Sequence, residues 1–313
     1  MKAVVYRKYG PADVAHWEDI EEPRCGPAEM LVAVEAAALN PKDVLVRKGK
    51  YALLSGKQFP KRLGLDFAGR VTAVGPGVPN ERLGKRVFGF FGGFRALRGS
   101  LVDRVVVTQG EVAVVADRVS AEDAAATGLA GSTALQALRD DGKLQRGERV
   151  LVIGASGGVG SFAVQLAKKL GATVAASASV RNRELLVSLG ADQVLDYASQ
   201  RALGDGPYDL VLDCFGKARA DALRPVLAPG GRFVSLVPSA GIVGDIARGV
   251  VSGPRTRLTA VRSRQRDLAL LASWLDDGSL RPSIERVYAR DELIEAMQHL
   301  ETRRARGKLV VRM

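Results

Sequence analysis

Short runs of apolar and β-branched residues, broken by Gly and Pro, fill the first third of the chain. Residues 30–36 (MLVAVEA) and 69–75 (GRVTAVG), then 102–107 and 112–115, set Val and Ala between turn residues. This predicts strands, with the texture of an antiparallel barrel or sandwich. The opening residues 1–6 (MKAVVY) predict a strand at a sheet edge. Around Ser120 the pattern changes: Ser120, Glu122 and Asp123 ahead of three alanines predict a capped helix start. Residues 150–153 (VLVI) form an uncharged run, as expected of a strand buried on both faces. Ala163, Leu166, Ala167 and Leu170 then follow helical spacing, with Lys168 and Lys169 in the last turn and Gly171 as a stop.

Further strands are predicted at 173–176, 193–195, 210–212 and 233–237, with a helix over 184–189 ending at Gly190. Such alternation implies right-handed crossovers and a parallel sheet. The last stretch predicts amphipathic helices over 267–275 and 291–300 and a strand at 309–311 that returns to an earlier sheet. At 313 residues the chain is long for one core, and two domains are expected.

The strongest local signal is the turn 153–160 (IGASGGVG), which follows a buried strand and opens a helix. Glycines there permit a tight turn, let the backbone approach a pyrophosphate and let helix pack on strand. The free amides of the helix N-terminus then meet negative charge. The spacing is a variant of GxGxxG, with Ser156 inside the turn. The alternative, a tight packing turn, has no need of glycine at so many positions.

NAD sites place an acidic residue at the end of the next strand, for the ribose 2′-hydroxyl. Residues 176–183 (ASASVRNR) contain no acid. Ser179 and Arg181 could instead donate charge-assisted hydrogen bonds to a 2′-phosphate, which favours NADPH. The alternative is that Arg181 and Arg183 are solvated residues at a helix start.

Composition narrows the chemistry. Cys25 and Cys214 are the only cysteines, and His16 and His299 the only histidines. A disulfide framework or cysteine-rich zinc lobe is excluded, and a zinc site would need a long-range coincidence of ligands. No metal ligands are assigned. No apolar run of 18 residues appears, and the first residues lack the pattern of a signal peptide, so a cytoplasmic protein is expected. The net charge of +12 reads as attraction to anions or as a solubilising basic surface. No aromatics interleave with the late arginines at 255–266 and 303–306, which argues against a base-stacking platform.

With these residues assembled, the chain resembles the medium-chain dehydrogenase/reductase superfamily, in its zinc-free quinone-oxidoreductase-like branch. The resemblance spans nearly the whole length. It rests on Asn40-Pro41-Lys42-Asp43, Leu63-Gly64-Leu65-Asp66-Phe67-Ala68-Gly69, Gly84-Lys85-Arg86-Val87-Phe88-Gly89, Gly131-Ser132-Thr133-Ala134, the glycine turn, Leu189-Gly190-Ala191-Asp192 and Ala305-Arg306-Gly307-Lys308-Leu309-Val310-Val311.

The resemblance implies an α/β-plus-β fold. A GroES-like β-barrel catalytic domain (1–119 and 268–313) would hold an inserted Rossmann doubly wound parallel sheet (120–267) that binds NADPH. It also implies a homodimer. Zinc-dependent relatives carry a cysteine where this chain has Asn40, and a His-Glu pair at Leu65-Asp66.

Carried over residue by residue, Asn40 and Asp43 would lie near the nicotinamide and Thr133 near its ribose or carboxamide. Ser156, Gly157, Gly158, Val159 and Gly160 would meet the pyrophosphate. Ser179, Arg181 and Tyr197 would surround the 2′-phosphate. Phe215, Leu236 and Val237 would follow the cofactor along the sheet's carboxyl edge, and Val261 would close the nicotinamide end. Asn40, Asp43 and Tyr51 are the catalytic candidates, with Tyr51 or solvent as proton donor.

Ser100-Leu101-Val102-Asp103-Arg104 replaces a common Ala-Glu-Tyr, and Leu45 stands where some quinone reductases have tyrosine. The implied reaction is hydride transfer to a quinone or α,β-unsaturated carbonyl, whose conjugation removes the need for zinc. A zinc-free NADP-dependent alcohol dehydrogenase, or an NADPH-sensing or single-stranded nucleic-acid-binding protein with little turnover, are the alternatives.

Overall fold

The computed structural model describes residues 1–56, 58–93, 98–199, 203–251 and 253–313, with the backbone alone at 250 and 251. Packing divides the chain into two units: Met1–Ser132 with Arg262–Met313, and Thr133–Val261.

The first unit opens with β1 (Lys2–Tyr6), β2 (His16–Asp19) and β3 (Glu29–Leu39). Then come α1 (Pro41–Arg47), α2 (Ala52–Ser55), β4 (Lys61–Arg62), β5 (Asp66–Val74), β6 (Arg86–Phe90), β7 (Arg104–Thr108) and β8 (Val112–Val114). Helix α3 (Ala121–Gln136) carries the chain into the second unit. That unit contains β9 (Arg149–Ile153), α4 (Gly158–Lys169), β10 (Thr173–Ala178), α5 (Arg183–Ser188), β11 (Gln193–Asp196), β12 (Tyr208–Asp213), α6 (Ala220–Leu223), β13 (Leu227–Ser235), α7 (Ala240–Val251) and β14 (Arg255–Leu258). The chain then returns to the first unit with α8 (Gln265–Asp276), β15 (Ile284–Tyr288), α9 (Leu293–Glu301) and β16 (Lys308–Arg312).

Strand β3 organises the first unit. One edge pairs along its length with β5; the other is shared, Glu29–Ala33 facing β7 and Ala36–Leu39 facing β16, all antiparallel. The C-terminal strand therefore does return to an early sheet. The expectation of an edge strand at the N-terminus is corrected. β1 lies between β2 and β4, and Ala3 also bridges to Val102. After Lys2 the run carries only apolar residues and Tyr6, so both of its faces are buried. Val4 and Tyr6 pack with Leu39, Leu63, Leu101 and Leu309.

The second unit is a parallel six-stranded sheet in the order β11-β10-β9-β12-β13-β14. It is a doubly wound sheet whose strand order reverses between β9 and β12, and the loops leaving the carboxyl ends of those two strands part there. Such a switch point is where open α/β sheets bind ligands.

Candidate active site

In the second unit the glycine turn sits at that switch point. Gly154 has φ +75°, and Gly154 and Ala155 both donate to Ser177 O, at 3.0 and 3.1 Å. A Cβ on Gly160 would lie 2.2 Å from Gly154 O and 2.7 Å from Ala155 Cα, so only glycine lets α4 start this close to the strand. The first i→i−4 bond of α4 is Ser161 N–H to Gly157 O, 3.0 Å. The amides of Gly158, Val159 and Gly160 therefore precede the helical ladder and are the helix's donors toward an anion. The Ser156 hydroxyl accepts from Asn182 Nδ2 at 2.9 Å, which ties the turn to the next βα loop.

At the end of β10, Ser179 caps a short 3₁₀ turn, Val180–Asn182, and Arg181 points outward, exposed. Arg183 is committed elsewhere, to Val194 O at 3.3 Å. The β10–β11 register pairs Ala178 with Asp196, which sets Ser179 and the exposed Tyr197 at neighbouring strand ends.

Along the carboxyl edge, Cys214 N donates to Ile153 O, Leu236 N to Asp213 O and Thr259 N to Ser235 O, each at 3.0 Å. These bonds line up the segments that hold Phe215, Leu236 and Val237. The fully buried Asp213 shapes the first of them, its carboxylate accepting the amides of Phe215, Gly216 and Ala218 at 2.8 Å each. Phe215 itself is exposed, and its Cβ lies 3.3 Å from where a Cβ on Gly154 would stand. Val261 lies on the segment after β14, and Thr133 is in α3.

The first unit holds a buried polar cluster. Asn40 caps α1, with Pro41 at the first helical position. Its Nδ2 donates to Asp66 Oδ2 at 2.9 Å and to Ala38 O at 3.2 Å, while its Oδ1 accepts from Lys308 Nζ at 2.7 Å. Both amide hydrogens are thus spent inside the protein.

Lys308 Nζ also reaches Asp66 Oδ2 at 3.0 Å, and Asp66 Oδ1 accepts from Leu129 N at 2.6 Å. Burial pushes the Asp66 carboxyl up, against the pull of Lys308 and Asn40. Asp43 is joined to this cluster through Asn40 N, which donates to its Oδ2 at 2.8 Å. Burial, reinforced by Asp66, drives the Asp43 carboxyl up to about 7 despite that bond.

Asp43 also lines a pocket of about 460 Å³ together with Lys42, Arg62, Leu63, Leu65 and Phe91. Tyr51 is absent from that lining and stands at the start of α2, its carbonyl accepting from Leu54 and Ser55. The structure thus brings Asn40 and Asp43 together, and gathers the glycine turn with Phe215. Sequence reasoning missed the roles of Lys308, Asp66, Asn182 and Asp213. A lysine opening a terminal strand and followed by three apolar residues is the signal that could have found Lys308, because a buried ammonium needs partners. Among the described residues, no helix is long and apolar enough to cross a membrane.

Residues 189–311 match a family model described as zinc-binding dehydrogenase, and residues 26–117 one described as alcohol dehydrogenase GroES-like domain. The chain is 33% identical to a zinc-type alcohol dehydrogenase-like protein of Schizosaccharomyces pombe, over 99% of this chain and 96% of that one. It is 35% identical to 2-methylene-furan-3-one reductase of Solanum lycopersicum, over 99% of this chain and 79% of that one. The quinone oxidoreductase of Coxiella burnetii superposes with a TM-score of 0.90 at 31% identity, covering 100% of this chain and 99% of that one. Two halves of the expected architecture and full-length likeness lead to one conclusion: the chain belongs to the medium-chain dehydrogenase/reductase superfamily of oxidoreductases, in its quinone-oxidoreductase-like branch, with a GroES-like β domain and a Rossmann-type parallel sheet.

Proposed function

We propose that the protein is an NADPH-dependent reductase of quinones and α,β-unsaturated carbonyl compounds that works without zinc. The buried cluster of Asn40, Asp66 and Lys308 carries this reading. Its one carboxylate is already satisfied by an ammonium 3.0 Å away, and its remaining donor atom belongs to an amide. Zinc sites draw on Cys, His and carboxylate ligands, and a divalent cation here would face Lys308 at close range. Among the described residues no group of three or more His, Cys, Asp or Glu could hold a metal ion. These residues do not fit zinc, whatever the name of the matching family model.

The nucleotide half fits a dinucleotide. The amides of Gly158, Val159 and Gly160, with Gly157 and Ser156 in the turn, would hold the pyrophosphate, and the absence of a side chain at Gly160 lets the helix start hard against the backbone of Gly154 and Ala155. Ser179, Arg181 and Tyr197 would take the 2′-phosphate, with Thr133, Phe215, Leu236, Val237 and Val261 along the rest of the cofactor. Bound NADPH supplies a hydride. The protein's own share is orientation, exclusion of water and the placing of a proton. Asp43, protonated below about pH 7, would hold that proton beside the pocket, and Asn40 would fix Asp43 through its backbone amide. Tyr51 remains the second candidate donor.

The test is NADPH consumption with matched acceptors: cyclohexenone against cyclohexanone, and benzoquinone against benzaldehyde. Without a metal to stabilise a localised oxyanion, the unconjugated partner should be slower by about 100- to 1000-fold. Equal turnover of cyclohexanone would replace this reading with an alcohol dehydrogenase, and no turnover of any acceptor would favour a binding protein. For the cofactor, Arg181→Glu should raise the Kd of NADPH by about tenfold to a hundredfold and leave that of NADH little changed. Equal Kd values for the two cofactors in the unaltered protein would sink the NADPH assignment.

A further inference from the structure

We propose that the acceptor carries a carboxylate, and that Arg62 receives it in the pocket that holds Asp43. This rests on reading the first unit as the acceptor-binding half of a reductase. The pocket's volume, about 460 Å³, suits a small molecule. Val46, Leu63, Leu65 and Phe91 give it apolar walls, while, among the described residues, Lys42, Arg62 and Arg98 add three cations against one acid, Asp43.

The three cations are not equivalent. Arg98 is already neutralised by both carboxylate oxygens of Glu111. Burial holds the Lys42 ammonium below its ordinary value. Arg62 follows from the two-residue strand β4, where successive side chains take opposite faces. Lys61 turns into the core, donating to Ser55 O at 2.7 Å with its ammonium 5.2 Å from the Phe59 ring. Arg62 is thereby sent to the pocket side, half-buried; its backbone pairs with Val5, and its guanidinium makes no hydrogen bond or ion pair with any described residue.

A guanidinium left unpaired against apolar walls is under-compensated, and its planar fork matches the two oxygens of a carboxylate. The acceptor that satisfies the whole pocket has a conjugated, mostly apolar body and one anionic end.

The probe is 4-oxopent-2-enoate against its methyl ester, which shares the enone skeleton without the charge. The ester is the better electrophile, so intrinsic reactivity works against the expected result. With NADPH, kcat/KM should favour the carboxylate by about tenfold or more. Arg62→Gln should lower the carboxylate-to-ester ratio of kcat/KM by about tenfold to a hundredfold, the scale of one charge-assisted hydrogen bond. Arg62→Lys should restore part of the ratio, because the charge remains and only the fork is lost. A ratio near or below one in the unaltered protein, or an unchanged ratio in Arg62→Gln, overturns the proposal. Turnover of cyclohexenone alongside that failure leaves the reductase reading standing, whereas turnover of no acceptor overturns both.

Discussion

Lys308→Met is expected to destabilise the protein by about 3–5 kcal/mol, the usual result of removing one partner from a buried ion pair. The Lys308 side chain is 3% exposed and that of Asp66 0%, so water cannot replace the lost donor. The substitution keeps most of the volume, and the cost is electrostatic. Among the described residues, Asp66 would retain only the Asn40 amide and the Leu129 N–H, and Asn40 Oδ1 would lose its donor.

The pH dependence has a definite sign. Burial already raises the Asp66 carboxyl, so the stability tied to its protonated form is lost as pH rises through its folded value. Without Lys308 that loss is larger, and the gap between unaltered protein and variant should widen with pH. Denaturant midpoints across a pH series measure it. Adding Asp66→Asn to Lys308→Met should recover much of the stability, because the orphaned charge is gone. A single-variant effect below about 1 kcal/mol, or simple additivity in the double variant, would show that the pair carries no such energy.

Asp43→Asn is expected to slow enone reduction by about 100- to 10,000-fold below neutral pH, the range for losing a positioned general acid. Asparagine preserves the shape and can still accept from Asn40 N; it cannot deliver a proton. With its carboxyl raised to about 7, Asp43 is an acid below that pH and a carboxylate above it. The rate with the unaltered protein should therefore fall about tenfold per unit above pH 7, and the variant's profile should lose that inflection. Quinones should suffer much less, since their reduced oxygen can take a proton from water. An inflection that survives in Asp43→Asn would move the donor role to Tyr51 or solvent. Equal losses for quinone and enone would make Asp43 a positioning group.

What could be read along the chain was whatever depends on neighbours in sequence. Strand–helix alternation over 150–237 predicted the parallel sheet because each βα unit carries its own apolar period and stops. The turn from Gly154 to Gly160 was legible because its chemistry is a property of consecutive backbone groups. Other segments were ambiguous locally. Residues 255–258 (RTRL) read as surplus positive charge, yet they form the last strand of the second sheet. Thr256 is buried there while Arg255 and Arg257 face solvent, an alternation too short to recognise without a partner strand. Pro41–Arg47 followed a capping asparagine but gave too few turns to declare a helix.

The buried cluster lay beyond any local reading. Lys308 meets Asn40 across 268 residues and Asp66 across 242, because β16 pairs with β3 and β3 pairs with β5. Sheet register alone sets which side chains share that interior. A lysine, an asparagine and an aspartate each have many ordinary places on a surface. Only packing that removes water from all three gives their juxtaposition its energy, and lifts the neighbouring Asp43 to about 7, where it can exchange a proton near neutrality.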